Sequence, residues 1–316
     1  MPSRFPEVDL SKVRRVSIED RGGTIGVDRF VEPRDPGPEF DRVLELVPDL
    51  FAGREFKAAV TAIADAARAG KTVVVMFGAH VVKCGLSRLL IDLIERGVVS
   101  ALATNGAGAI HDFEIAMWGV TSEDVEAGLE DGTFGMCAET ADGMNAAAVR
   151  GREEGLGLGE SLGRALADAG PPNREASILA RAHELGVPVT VHVALGTDIV
   201  HEHASADGCA IGDTSMTDFR VFAAAVGGLD GGAIVNVGSA VILPEVFLKA
   251  LAVARNLGKA RSFTAVSMDM GEPYRAMVNV VGRPTAESGL GIALRGRHEI
   301  LLPLLWGALV RELGRG

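Results

Sequence analysis

The sequence predicts a doubly wound α/β fold: a mostly parallel sheet with helices on both faces. Three observations carry that prediction. Short apolar runs rich in β-branched residues, such as TVVVMFG, are bounded by glycine and read as strands buried on both sides. Stretches of helical period, such as FKAAVTAIADAARAG, lie between them and stop at glycine. The two kinds of segment then alternate along most of the chain, the pattern of parallel strands joined by crossover helices.

Residues 1–50 are rich in Pro, Asp and Arg, as in VEPRDPGPEF, with weak periodicity, and predict an N-terminal arm or short hairpin. From Phe51 to residue 316 a single α/β domain is expected. FKAAVTAIADAARAG is its first helix and TVVVMFG its first strand; LSRLLIDLIERG is an amphipathic helix closed at Gly97, and VVSALATNG a second buried strand. The last three of these segments make a β-α-β unit whose post-strand loops lie on one sheet edge, where open α/β sheets bind ligands. Residues 121–175 are Gly- and Glu-rich and predict a peripheral helical insertion able to carry subunit contacts. Alternation returns with ASILARAHELG, VPVTVHVALG, MTDFRVFAAAVGG, AIVNVGS, EVFLKALAVARNLG, SFTAVSMDM and a last helix over LLPLLWGALVREL.

At 316 residues and 47% hydrophobic, the chain can bury a large core. Its net charge of −11 argues against a nucleic-acid or anionic-membrane partner. Cys84, Cys137 and Cys209 are too few and scattered for a disulfide framework. MPSRFPEVDLSKVRR lacks a signal-peptide core, and no run approaches the ~20 apolar residues of a membrane span. A cytoplasmic protein is expected.

Three glycine turns are the first candidate site: GAH from Gly78, TNGAG from Thr104 through Asn105, Gly106 and Gly108, and NVGSA with Gly238 and Ser239. Bare amides at a turn feeding a helix attract phosphate, although none of these turns forms a G-x-G-x-x-G or Walker loop, and every α/β sheet needs tight turns. Polar groups cluster there: His80, Lys83 and Cys84 after the first strand, then His111, Asp112 and Glu114 after the second. A lysine near a low-dielectric sheet edge can act as base or nucleophile, and a histidine can carry protons. The plainer alternatives are a solvent-reaching lysine and N-capping by Asp112.

TDIVHEHASADGCAIGD gathers Asp198, His201, Glu202, His203, Asp207 and Asp213. This composition fits a polar loop over the site or, alternatively, the ligands of a metal-dependent hydrolase or lyase, but it matches no strong zinc signature.

Taken together, these segments resemble the deoxyhypusine synthase family, from about Phe51 onward. The likeness rests on FAGREFKAA, VVVMFGAHVVKCGLSRLLIDLIERGVVSALATNGAGAIHDFE, EASILARAHELGVPVTVHVALGTD, TDFRVF and AIVNVGSAV, in that order. The resemblance implies a Rossmann-like NAD-binding domain and a homotetramer of paired dimers with sites between subunits. It also implies spermidine oxidation followed by aminobutyl transfer to a protein lysine. Carried over, the nucleotide contacts fall on His80, Lys83, Thr104, Asn105, Gly106, Gly108, Asp198, Gly238, Ser239, Ser267 and Asp269. The family's G-G-G-V-V-K-H-H run, with its imine-forming lysine, reads VGSAVILPE here, and Ile110 and His111 stand where carboxylates are expected. The expectation is therefore an NAD-type cofactor held by these residues with Gly78, Asp112 and Asp213. Lys83, His111 and His80 would act on a small amine or polyol by redox or transfer chemistry. The alternative is a non-catalytic nucleotide-binding protein.

Overall fold

The computed structural model describes residues 4–314, so the first three residues of the expected arm and the last two of the expected domain lie outside the described residues. The first elements are α1 (Ile18–Arg21), β1 (Ile25–Gly26) and α2 (Pro38–Glu45). Next come α3 (Phe51–Arg68), β2 (Val73–Phe77), α4 (Ala79–Lys83), α5 (Ser87–Glu95), β3 (Ala101–Asn105), α6 (Gly106–Trp118) and β4 (Val120–Thr121). Helices α7 (Val125–Asp131), α8 (Ala138–Glu154), α9 (Leu158–Ala169) and α10 (Ile178–Glu184) lead into β5 (Val189–His192). The chain continues through α11 (Gly208–Gly227), β6 (Ala233–Val237), α12 (Ile242–Asn256) and β7 (Thr264–Asp269). Helix α13 (Tyr274–Ala276) passes through a π-helical stretch (Met277–Gly282) into α14 (Arg283–Thr285), followed by β8 (Leu290–Arg295) and α15 (His298–Leu313).

Six strands pair in the order β5-β3-β2-β6-β7-β8, all parallel. The chain lays β3 and β5 on one side of β2, then returns to lay β6, β7 and β8 on the other. That reversal makes the junction of β2 and β6 the topological switch point, the edge where doubly wound sheets bind ligands. Strand alternation divides the core by face. Val73, Val75 and Phe77 point into a large cluster with α3, α5, α6 and α15, and Val74 and Met76 into a smaller one with α11 and α12. Both faces are thus covered by helices, as a parallel sheet requires.

Strand β8 is not anticipated by the sequence reading. Along LGIALR only Ile292 and Leu294 are buried, because β8 is an edge strand, so the run lacks the continuous apolar character of the central strands. Helix α11 also begins earlier than the periodicity suggests. Asp207 Oδ1 accepts from the amides of Cys209 and Ala210 at 2.8 and 3.0 Å, capping the helix and drawing its start into the expected polar loop.

In the stretch 121–175, α8 and α9 bury Met144, Ala147, Ala148 and Leu162 against the main core. In the N-terminal stretch, β1 pairs antiparallel with β4, and Asp41 of α2 holds Arg311 of α15. No helix among the described residues is long and apolar enough to cross a membrane.

Candidate functional site

The turns after β2 and β6 meet at the switch point. The Gly78 amide donates to the Val237 carbonyl at 2.9 Å, and the Gly238 amide to the Met268 carbonyl at 2.9 Å, so both strands hold their neighbours one residue past their ends. A Cβ on Gly78 would stand 2.4 Å from the Gly238 carbonyl oxygen, so only glycine lets the two turns close on each other. Gly238 has φ +69°, and a Cβ there would lie 2.8 Å from the imidazole of His298. His298 opens α15, whose N-cap Arg297 gives no side-chain bond.

That imidazole is 1% exposed, and neither of its ring nitrogens has a hydrogen-bond partner. His80 packs edge-on against it, ring centroids 5.8 Å apart. Burial lowers the His80 pKa, and the neighbouring His298, Lys83 and Arg297 lower it further against the pull of Glu299. Cys84 Sγ lies 3.8 Å from Glu299 Oε2. In a chain of net charge −11, the charges acting on His80 are thus Lys83 and Arg297 against the Glu299 carboxylate, a local balance suited to an anion.

The turn after β3 is filled differently. Asn105 caps α6, its Oδ1 accepting from the Gly108 amide at 2.9 Å, and the buried Thr104 hydroxyl donates to the Phe77 carbonyl at 3.0 Å. A Cβ on Gly106 would fall 1.8 Å from Asp198 Oδ2, and one on Gly108 2.1 Å from Thr104 Oγ1. The missing side chains at these two glycines make room for the protein's own groups, the Asp198 carboxylate and the Thr104 hydroxyl. Burial raises the Asp198 pKa to about 6. Beside it, a cavity of about 20 Å³ lined by Gly106, Asn145, Asp198 and His201 has room for a water and little more.

The flank of α6 carries a hydrogen-bond network around Glu114. Arg21 Nη1 donates to Glu114 Oε1 at 2.7 Å, the Thr140 hydroxyl donates to the same oxygen at 2.8 Å, and the Thr121 hydroxyl donates to Glu114 Oε2 at 2.6 Å. His111 Nδ1 lies 2.7 Å from Thr121 Oγ1. Because that hydroxyl gives its one hydrogen to the carboxylate, Nδ1 must be the donor, which leaves the lone pair on Nε2. Burial pulls the His111 pKa down to about 4, the nearby Lys83 charge adding to the effect, so the ring rests neutral.

Other residues singled out in the sequence sit as follows. Asp112 is buried and accepts from Ser177 Oγ (2.6 Å) and the amides of Ile178 (2.7 Å) and Leu179 (3.0 Å), capping the start of α10. Ser239 Oγ accepts from the Leu243 amide at 3.3 Å, and Ser267 Oγ from Asn236 Nδ2 at 3.2 Å. Asp269 Oδ1 accepts from the amide of Met270 at 2.7 Å. Asp213 stands exposed on α11 opposite Arg152. His201 Nδ1 accepts from the amides of Gly196 and Asp198, while His203 Nε2 lies 2.9 Å from the Gly135 carbonyl. Asp198, His201, His203 and Asp213 do not converge, and among the described residues no three His, Cys, Asp or Glu side chains are arranged to hold a metal.

Sequence reasoning missed His298. Its one signal is a histidine just past the glycine of RGRHE, ahead of the last helix; the strand that would place it at the rim, β8, was itself unread.

No protein-family model matches the sequence, and a search of the curated proteins finds no match. Solved structures resemble it in fold. A provisionally named LOR/SDH protein from Methanococcus maripaludis S2 is 14% identical with a TM-score of 0.53, over 90% of this chain and 75% of that one. AgrE, solved as a ternary complex with ornithine and NAD+, is 17% identical with a TM-score of 0.52, over 90% of this chain and 34% of AgrE. A provisionally named deoxyhypusine synthase from Entamoeba histolytica is 11% identical with a TM-score of 0.51, over 87% of this chain and 96% of that one. The chain spans about a third of the length of AgrE. At these identities the likeness is one of fold.

Proposed function

We propose that the protein is a deoxyhypusine-synthase-like enzyme that holds an NAD-type nucleotide at the junction of β2 and β6 and acts on a small amine or polyol by redox or transfer chemistry. The observation that carries this reading is the closure of the Gly78 turn on the Gly238 turn at the point of strand reversal, beneath a basic rim. The NAD+ bound to AgrE, a protein of similar fold, supports it. So does the buried, unpartnered His298, a polar group without an internal purpose.

Gly78, Gly238 and Ser239 would hold the nucleotide's bridge, with Lys83 and Arg297 supplying positive charge. The bound nucleotide would supply hydride acceptance. Lys83 is the base or nucleophile toward the substrate. His111 receives a proton at Nε2 and, with a pKa near 4, releases it readily; the Glu114 carboxylate lies within reach through the Thr121 hydroxyl. The VGSAVILPE segment offers no lysine after β6, so the reading assigns this role to Lys83 on the neighbouring turn and does not extend to aminobutyl transfer. Assembly of subunits around the site, as the family resemblance implies, is part of the same proposal.

The test is native mass spectrometry of the purified protein together with calorimetric titration with NAD+ and NADP+. A co-purifying dinucleotide, or saturable binding of one of the two, is the expected result. Absence of both overturns the reading.

A further inference from the structure

Among the described residues several buried side-chain polar atoms lack a partner, Arg21 Nη2, Ser87 Oγ and His203 Nδ1 among them, and His298 is the side chain with two. The two buried carboxylates have internal partners on both oxygens: Glu114 an arginine and two threonines, Asp112 a hydroxyl and two amides. His298 is as deeply buried as either, yet both of its nitrogens lack a partner. A buried polar group left unpaired costs roughly 1–3 kcal/mol, so its retention calls for a reason.

Its position supplies one. The ring lies against Gly238, whose positive φ and missing Cβ are what admit it, and it starts a helix of 16 residues with no side-chain cap. A helix start of this kind favours negative charge. His80 is exposed and covers the ring edge-on, so the buried imidazole lies one side chain below the surface.

Resting on the nucleotide reading above, we infer that His298 is a nucleotide-contacting residue, donating one ring N–H to the phosphate bridge and offering the other nitrogen to a ribose hydroxyl. A neutral imidazole has one hydrogen to give and one lone pair to fill. A phosphorylated sugar satisfies both from one molecule, since its phosphate oxygens accept and its hydroxyls donate. The class of ligand is therefore a ribose phosphate, with the nicotinamide ring playing no part in this contact.

The experiment uses NAD+ and ADP-ribose as probes in calorimetric titrations of the full chain, wild type against His298→Phe and His298→Gln. Phenylalanine keeps the ring volume over Gly238 and removes both nitrogens; glutamine keeps a donor and an acceptor. His298→Phe is expected to weaken both probes about ten- to a hundred-fold, the size of a lost hydrogen bond to a charged group, with His298→Gln between it and wild type. Equal affinity of wild type and His298→Phe overturns the inference and leaves the nucleotide reading standing. If wild type binds neither probe, both fall together. Should the phenylalanine variant fail to fold, 15N-histidine spectra of wild type titrated with ADP-ribose decide the matter: a shifted His298 ring signal supports the contact, and an unmoved one refutes it.

Discussion

The flank of α6 and the rim between β2 and β6 each bury a histidine-centred group, and they treat its polarity in opposite ways. On α6, His111 is tied through Thr121 to Glu114, which Arg21 and Thr140 complete, so that both carboxylate oxygens are occupied. At the rim, His298 is buried with nothing to bond. The turn after β3 sides with α6, since Asp198 fills the space that Gly106 opens. The difference is between a carboxylate with internal partners and an imidazole with none; on the proposed reading, only the second tolerates losing its polarity in folding and suffers from losing it in binding.

The largest expected break in that comparison is Glu114→Gln. The Arg21 side chain is 5% exposed, and losing the opposing charge leaves it buried and uncompensated, a loss of roughly 3–5 kcal/mol. Urea unfolding of this variant should show a midpoint well below that of wild type, while His298→Phe without ligand should unfold at or above it. A fall of similar size in both would erase the distinction between the two regions.

Gly106→Val comes next. Its side chain must displace the Asp198 carboxylate, an overpacking cost of about 1–3 kcal/mol, so thermal unfolding should shift downward. Nucleotide affinity should change less than in His298→Phe. The reverse order would move the binding site to the β3 turn.

A smaller effect follows from titration. The folded chain holds His111 at about 4, whereas the unfolded chain takes up the proton at the ordinary value of 6.5. Its contribution to stability is present above the unfolded value and is lost as pH falls through that window toward 4. The unfolding free energy of wild type minus that of His111→Gln should therefore shrink as pH falls from 7.5 to about 4.5. A difference that stays flat over that range contradicts the buried, neutral ring.

Five of the six parallel strands and the alternation of helices were legible in the sequence, because central strands buried on both faces read as continuous apolar runs. VVVMF and AIVNV are of this kind. Edge strand β8 lacks that signal, with two buried residues in six. The three glycine turns could be placed on one rim from sequence, but what fills each could not. Asp198 and His298 reach Gly106 and Gly238 only through tertiary folding, from 92 and 60 positions away. The His111 tautomer likewise depends on Thr121, whose approach is set by the turn after α6.

The claim on which the account rests is that the Gly78 and Gly238 turns receive the nucleotide. A crystal structure of the protein at saturating NAD+ tests it most directly. The account predicts pyrophosphate density at those two turns with a His298 nitrogen in hydrogen-bonding contact. Density for the nucleotide elsewhere on the chain, with the His298 ring still unpartnered against Gly238, would contradict it.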